Sequence, residues 1–207
     1  MTPAGAPETA VDLLWIPLGA GEASPVVRWS GRAFEQLVAG REQRSPRRLF
    51  HTALLVHLRG VVHAIEMTPT WGSPATYRGV VGEGPVGARV LGRSRFFRYE
   101  IRRWAHGAIP DVAWAEESPQ RLSSDDQHAQ RLLQLVPEFP TATWGRDELG
   151  TGEMWNSNSL TSWLLARSGH RTDDLVAPDG GRAPGWSAGL VVAERQLARR
   201  APAEADR

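Results

Sequence analysis

The stretch from Leu49 to Met67 constrains the fold of this chain most. Leu-Phe-His-Thr-Ala-Leu-Leu-Val-His-Leu is apolar through Leu58, Arg59-Gly60 is a tight-turn pair, and Val61 to Met67 returns. Two runs of that kind around such a pair predict a hairpin of two long strands. Side chains alternate along a strand, so His51, Ala53, Leu55 and His57 are expected on one face.

The rest of the chain is read around that hairpin. Val11 to Leu18 is apolar and suits a first strand or an extended packing segment. Phe34, Leu37 and Val38 fall at helical spacing behind Ser30, which predicts a short capped helix. Met67 to Pro85 reads as a loop with a short strand at Tyr77 to Val81. In Phe96 to Trp104, Phe97, Tyr99 and Ile101 alternate with Arg98, Glu100 and Arg102, which predicts a half-buried strand. Ser123 or Ser124 can cap a helix from Asp125 to Val136, with Ala129, Leu132, Leu133 and Val136 inward. A second helix is expected from Asn158 to Ser168, stopped by Gly169. Residues 180–186 read as successive turns ending on Trp186 and closing over the end of that helix, with Leu190 to Arg200 helical or frayed beyond them. The expected architecture is α+β: an antiparallel sheet with one helix packed against it. Residues 1–10 are expected as a disordered lead, 11–192 as a single domain, and 193–207 as a C-terminal helix or frayed tail.

Composition narrows the chemistry. A length of 207 residues with 41% hydrophobic and 23% charged residues suits one globular domain. The formal net charge of +1 leaves no nucleic-acid footprint. No apolar run reaches the roughly 20 residues of a membrane span, and the start lacks a secretory signal, so the cytoplasm is expected. Every basic residue is arginine, in keeping with a GC-rich coding bias. There is no cysteine, so disulfides, thiolate metal sites and a cysteine nucleophile are excluded. His51, His57 and His63 recur every six residues, and His57 and His63 are placed to face each other across the turn. No His-Glu-x-x-His pattern accompanies them, and neither a metal nor another cofactor is expected.

The segment Trp155-Asn156-Ser157-Asn158-Ser159 joins a Gly-rich loop to a helix. Two readings of it stand. Short polar residues cap helices, because their oxygens accept orphan N–H bonds of the first turn. The same position gives a nucleophile the positive end of the helix dipole and N–H groups for an oxyanion. On that second reading Ser157 attacks, His51 takes its proton and Glu66 on the second hairpin strand orients His51. Asp147, Glu148 and Glu153, in the loop before the helix, are candidates to orient a base or bind a cation, and Asp147 and Glu148 also to hold substrate. Trp155 and Trp163 are candidates to wall an apolar groove.

These two motifs resemble the permuted papain-like superfamily, which includes NlpC-type proteins, where a strand-borne histidine precedes a helix-borne cysteine. Leu49-Phe50-His51-Thr52-Ala53-Leu54-Leu55-Val56 is similar to the histidine strand of the PPPDE (deSUMOylating isopeptidase-like) branch. Asn156-Ser157-Asn158-Ser159-Leu160 is similar to its Asn-Cys-Asn-x-Phe helix start, and more so to a bacterial group carrying Asn-Ser-Asn-Thr-Phe there. The resemblance implies a permuted papain-like fold over Leu49 to Gly169, with His51 at the base position and Ser157 at the nucleophile position. It implies a hydrolase or acyltransferase of amide, ester or thioester bonds, with Asn156, Asn158, Trp155, Asp147 and Glu148 around the substrate. Serine in place of cysteine implies an alternative, a non-catalytic relative that binds a peptide, lipid or protein partner in the same groove.

Overall fold

Strand alternation and two apolar faces organise the molecule. The computed structural model describes residues 8–20, 35, 36, 38–41, 43–70 and 79–205. Six strands form one antiparallel sheet: β1 (Thr9–Pro17), β2 (Phe50–Leu58), β3 (Val61–Pro69), β4 (Val80–Pro85), β5 (Arg98–Ala105) and β6 (Glu116–Ser123). Their order across the sheet is β4-β5-β3-β2-β1-β6. Beyond β6 the described residues form three helices: α1 (Asp126–Leu135), α2 (Ser157–Arg167) and α3 (Trp186–Ala205).

The hairpin forms as expected. Leu58 pairs with Val61, and Arg59 and Gly60 both take positive φ, 52° and 76°. That double left-handed turn matches the twist of the flanking strands, and glycine takes its half without a steric cost.

The two faces of the sheet differ. Val11, Leu13, Trp15, Phe50, Leu54, Val56, Ile65, Met67, Tyr99 and Ile101 point to the face covered by α1, α2 and α3. Leu14, Ile16, Ala53 and Ala64 point to the other face, where Ile109 packs on them. β1 is buried along almost its whole length because it lies between β2 and β6 with apolar side chains on both faces.

Several expectations need correction. Thr9 and Ala10, expected in the disordered lead, open β1. The strand expected from Phe96 starts at Arg98, because residues 95–97 turn instead and leave Phe97 40% exposed. Arg102, assigned to a solvated face, is 2% exposed and sits between the carboxylates of Glu66 (3.0 Å) and Glu100 (2.6 Å). β6 was not expected at all. His57 and His63 do not face each other: His63 pairs with Val56 and His57 with Val62, so the two imidazoles leave opposite faces of the sheet. The helix expected behind Ser30 shows only its later part, with helical residues at 35, 36 and 38–41; its cap lies outside the described residues. Tyr77 and Arg78 also lie outside them, and the short strand there is seen as β4.

Candidate functional site

The amino end of α2 is fixed by its own side chains. Asn156 is the N-cap, and its Oδ1 accepts from the backbone N–H groups of Asn158 (2.9 Å) and Ser159 (3.3 Å). Ser159 Oγ in turn accepts from Asn156 N at 3.1 Å, which closes a reciprocal capping box. One capping residue suffices for a helix start, so the remaining polar atoms serve another purpose.

They bind the chain that leads into α3. Asn156 Nδ2 and Asn158 Nδ2 both donate to Pro184 O (2.8 and 2.9 Å), Ser159 Oγ donates to Gly185 O (2.8 Å), and Ser162 Oγ donates to Trp186 O (2.7 Å). Three successive carbonyls are thereby satisfied by side chains of one helix turn and its cap. Trp186 then packs at a tilt on Trp15 of β1, with ring centroids 5.4 Å apart. The turns over residues 180–186 therefore do close over α2, at its amino end.

Asn158 also ties the helix to the sheet. It accepts from Thr52 Oγ1 (3.0 Å) and donates to Phe50 O (3.0 Å). The two sequence motifs thus meet, but through Thr52 and Asn158, each one residue along from the expected pair.

That one-residue step decides where His51 points. Opposed residues of an antiparallel pair share a face. His51 is paired with Ile16, Thr52 with Trp15 and Ala53 with Leu14, without a register break. Thr52 and Trp15 face the helices, so His51 lies on the other face with Ile16 and Ala53. The sheet stands between its imidazole and Ser157, and the structure does not bring the two together. His51 makes no hydrogen bond among the described residues, and desolvation lowers its pKa to about 4. Ser157, 5% exposed, likewise has no side-chain hydrogen bond among them.

The other candidate residues have structural partners. Glu66 shares the face of His51 but its Oε1 accepts from Arg102 Nη1 at 3.0 Å. Asp147 accepts from the N–H groups of Thr151 (2.7 Å) and Gly152 (2.9 Å), which lower its pKa and hold the turn over 147–152. Glu148 accepts from Thr143 Oγ1 (2.6 Å) and Thr143 N (3.0 Å), which lower its pKa. Trp155 walls no groove. It is 1% exposed, stacks on Phe139 with centroids 4.7 Å apart, and donates Nε1–H to Pro140 O. Trp163 is equally buried and donates to Gln196 Oε1.

A cleft of about 430 Å³ opens beside the amino end of α2, lined by Arg41, Asp147, Glu153, Met154, Arg182 and Pro184, with Gly145, Gly152 and Gly185 exposing backbone. Glu153 Oε2 accepts from Gly185 N at 2.9 Å, so this wall is pinned to the segment that α2 holds. Of the candidate residues expected from sequence, Asp147 and Glu153 line it.

A Ser–His contact that no sequence motif marks lies at the carboxyl end of α2. His170 Nε2 lies 3.1 Å from Ser123 Oγ and its Nδ1 lies 2.8 Å from Ser168 Oγ. Ser168 and Gly169 end α2, and His170 N donates to Leu165 O, so the imidazole is part of the helix stop. Desolvation, followed by repulsion from His128, lowers its pKa to about 4, which makes it a poor base at neutral pH. Among the described residues no three His, Asp or Glu side chains converge as metal ligands. No helix there is long and apolar enough to cross a membrane. No family model, curated protein or solved structure matches the chain.

Proposed function

We propose that this chain is a non-catalytic relative of the permuted papain-like proteins that binds a polypeptide segment in the cleft beside α2. The observation that carries this reading is the placement of His51 and Ser157 on opposite sides of the sheet, with Thr52–Asn158 as the contact between their motifs. A serine hydroxyl needs an oriented base to attack, and Ser157 has none bonded to it among the described residues. The hydrolase or acyltransferase reading therefore has its two residues apart.

The lining of the cleft supports a peptide rather than a lipid tail. Two guanidinium groups and two carboxylates line it with the backbone of three glycines, which lets another main chain approach closely. Arg41 offers a planar donor fork to a carboxylate of the bound segment.

The test is fluorescence polarisation with a panel of labelled acidic, neutral and basic peptides. Wild type and Ser157→Ala are expected to bind the same acidic or mixed-charge peptides, and Arg41→Glu is expected to weaken them at least tenfold. Labelling of wild type, but not of Ser157→Ala, by a fluorophosphonate probe would overturn the proposal. Peptide binding indifferent to Arg41→Glu would overturn the placement in the cleft.

A further inference from the structure

The β4 edge of the sheet presents a surface that the binding reading does not use. Between β4 and β5 the chain makes two short turns, Arg89–Arg93 and Arg95–Phe97, packed on one another and on β4. They are rigidly built. Ser94 N donates to Leu91 O (2.9 Å), Phe97 N to Ser94 O (3.0 Å), and Arg98 Nε to Gly92 O (2.8 Å). Gly92 abuts Pro85 so closely that an added Cβ would lie 2.7 Å from the ring.

This platform exposes what a fold normally hides. Val90 is 69% exposed, Phe96 66%, Leu91 40% and Phe97 40%. Four neighbouring large apolar side chains in water are costly, and a patch of that kind marks an interaction surface. Four arginines alternate with them: Arg89, Arg93, Arg95 and Arg98, with no acidic residue between Val86 and Arg98. Arg98 pairs with Glu83 (3.0 Å) and Arg89 with Glu148 (3.3 Å). Arg93 and Arg95 have no carboxylate partner among the described residues, although the chain as a whole is nearly neutral.

We propose that this platform docks the protein on an anionic lipid surface, Val90, Leu91, Phe96 and Phe97 entering the headgroup–acyl boundary and the arginines binding lipid phosphates. The charge selects the occupant. Cationic side chains interleaved with apolar tips combine the two forces that hold peripheral proteins on anionic bilayers. A fluid surface needs no matching hollow for the protruding Val90 and Phe96. Guanidinium forks suit phosphate oxygens.

Flotation of the full chain with vesicles tests this. Binding is expected with phosphatidylcholine plus phosphatidylglycerol, not with phosphatidylcholine alone, and is expected to weaken in high salt. Arg93→Gln with Arg95→Gln removes two cationic contacts and should weaken partition about thirty-fold. Phe96→Ser with Phe97→Ser should abolish flotation while the circular dichroism spectrum stays that of wild type. Trp114→Ser, which changes another exposed aromatic, should float as wild type does. Absence of binding to the anionic vesicles, equal binding to neutral ones, or flotation of the Phe96→Ser/Phe97→Ser variant would overturn the proposal. Concentration-dependent dimerisation lost in that variant, without vesicle binding, would assign the patch to a second copy of the chain and overturn it too.

Discussion

At the scale of single residues, the Asn-Ser-Asn-Ser segment separates into one idle hydroxyl and three working side chains. Asn158 accepts from Thr52 and donates to Phe50 O, both in the interior, and donates to the half-buried Pro184 O. Asn158→Ala would leave those groups unpaired where water is scarce, and a loss of about 3 kcal/mol in urea unfolding is expected. Ser157 has no side-chain hydrogen bond to lose among the described residues, and Ser157→Ala should change stability by no more than about 0.5 kcal/mol. A catalytic serine with a bonded base would not leave so little trace.

At the scale of elements, α2 is a buried connector between the sheet and α3. Its first nine residues, Ser157 to Leu165, are all buried, although four of them are Ser, Asn or Thr besides Ser157 itself. Those polar residues keep the helix narrow and satisfy the carbonyls leading into α3. Gly189 completes the fit. A Cβ there would meet Ser162 Oγ at 2.1 Å and Ser159 O at 2.3 Å. Gly189→Ala should force α2 and α3 apart and cost about 2–3 kcal/mol, read as a lowered unfolding midpoint. The hairpin was legible in the sequence because apolar runs and the Arg59-Gly60 turn agree on one register. β6 was not legible, since Glu-Glu-Ser-Pro-Gln-Arg-Leu-Ser has no apolar alternation and an edge strand needs none. The site was legible as two motifs in contact, yet not as to which side of β2 the helix occupies. Both faces of β2 are apolar, Phe50, Leu54 and Val56 on one and Ala53 and Leu55 on the other, so alternation alone names no inner face. Arg102 escaped for a similar reason: an arginine in a strand looks solvated until its two carboxylate partners arrive from β3 and β5 itself.

At the scale of the whole molecule, two histidines held neutral by burial shape the response to acid. His51 and His170 have pKa values near 4 in the fold, against an unfolded value near 6.5. Between these values the unfolded chain binds more protons than the folded one, so stability is complete above about pH 6.5 and falls as pH drops toward 4. The expected slope is roughly 1.4 kcal/mol per pH unit for each histidine in that window. Urea unfolding from pH 7 to pH 4.5 checks it, and replacing either histidine by glutamine should remove its share of the slope. The sheet uncouples His51 from the amino end of α2. The chain has no cysteine, so Ser157→Cys introduces a single thiol there as a reporter. Its rate of alkylation by iodoacetamide is measured against pH, alone and combined with His51→Gln. The two profiles should superimpose, because only the helix end acts on the thiol. A thiol pKa that rises when His51 is removed would mean that the imidazole reaches the site and that the two are coupled after all.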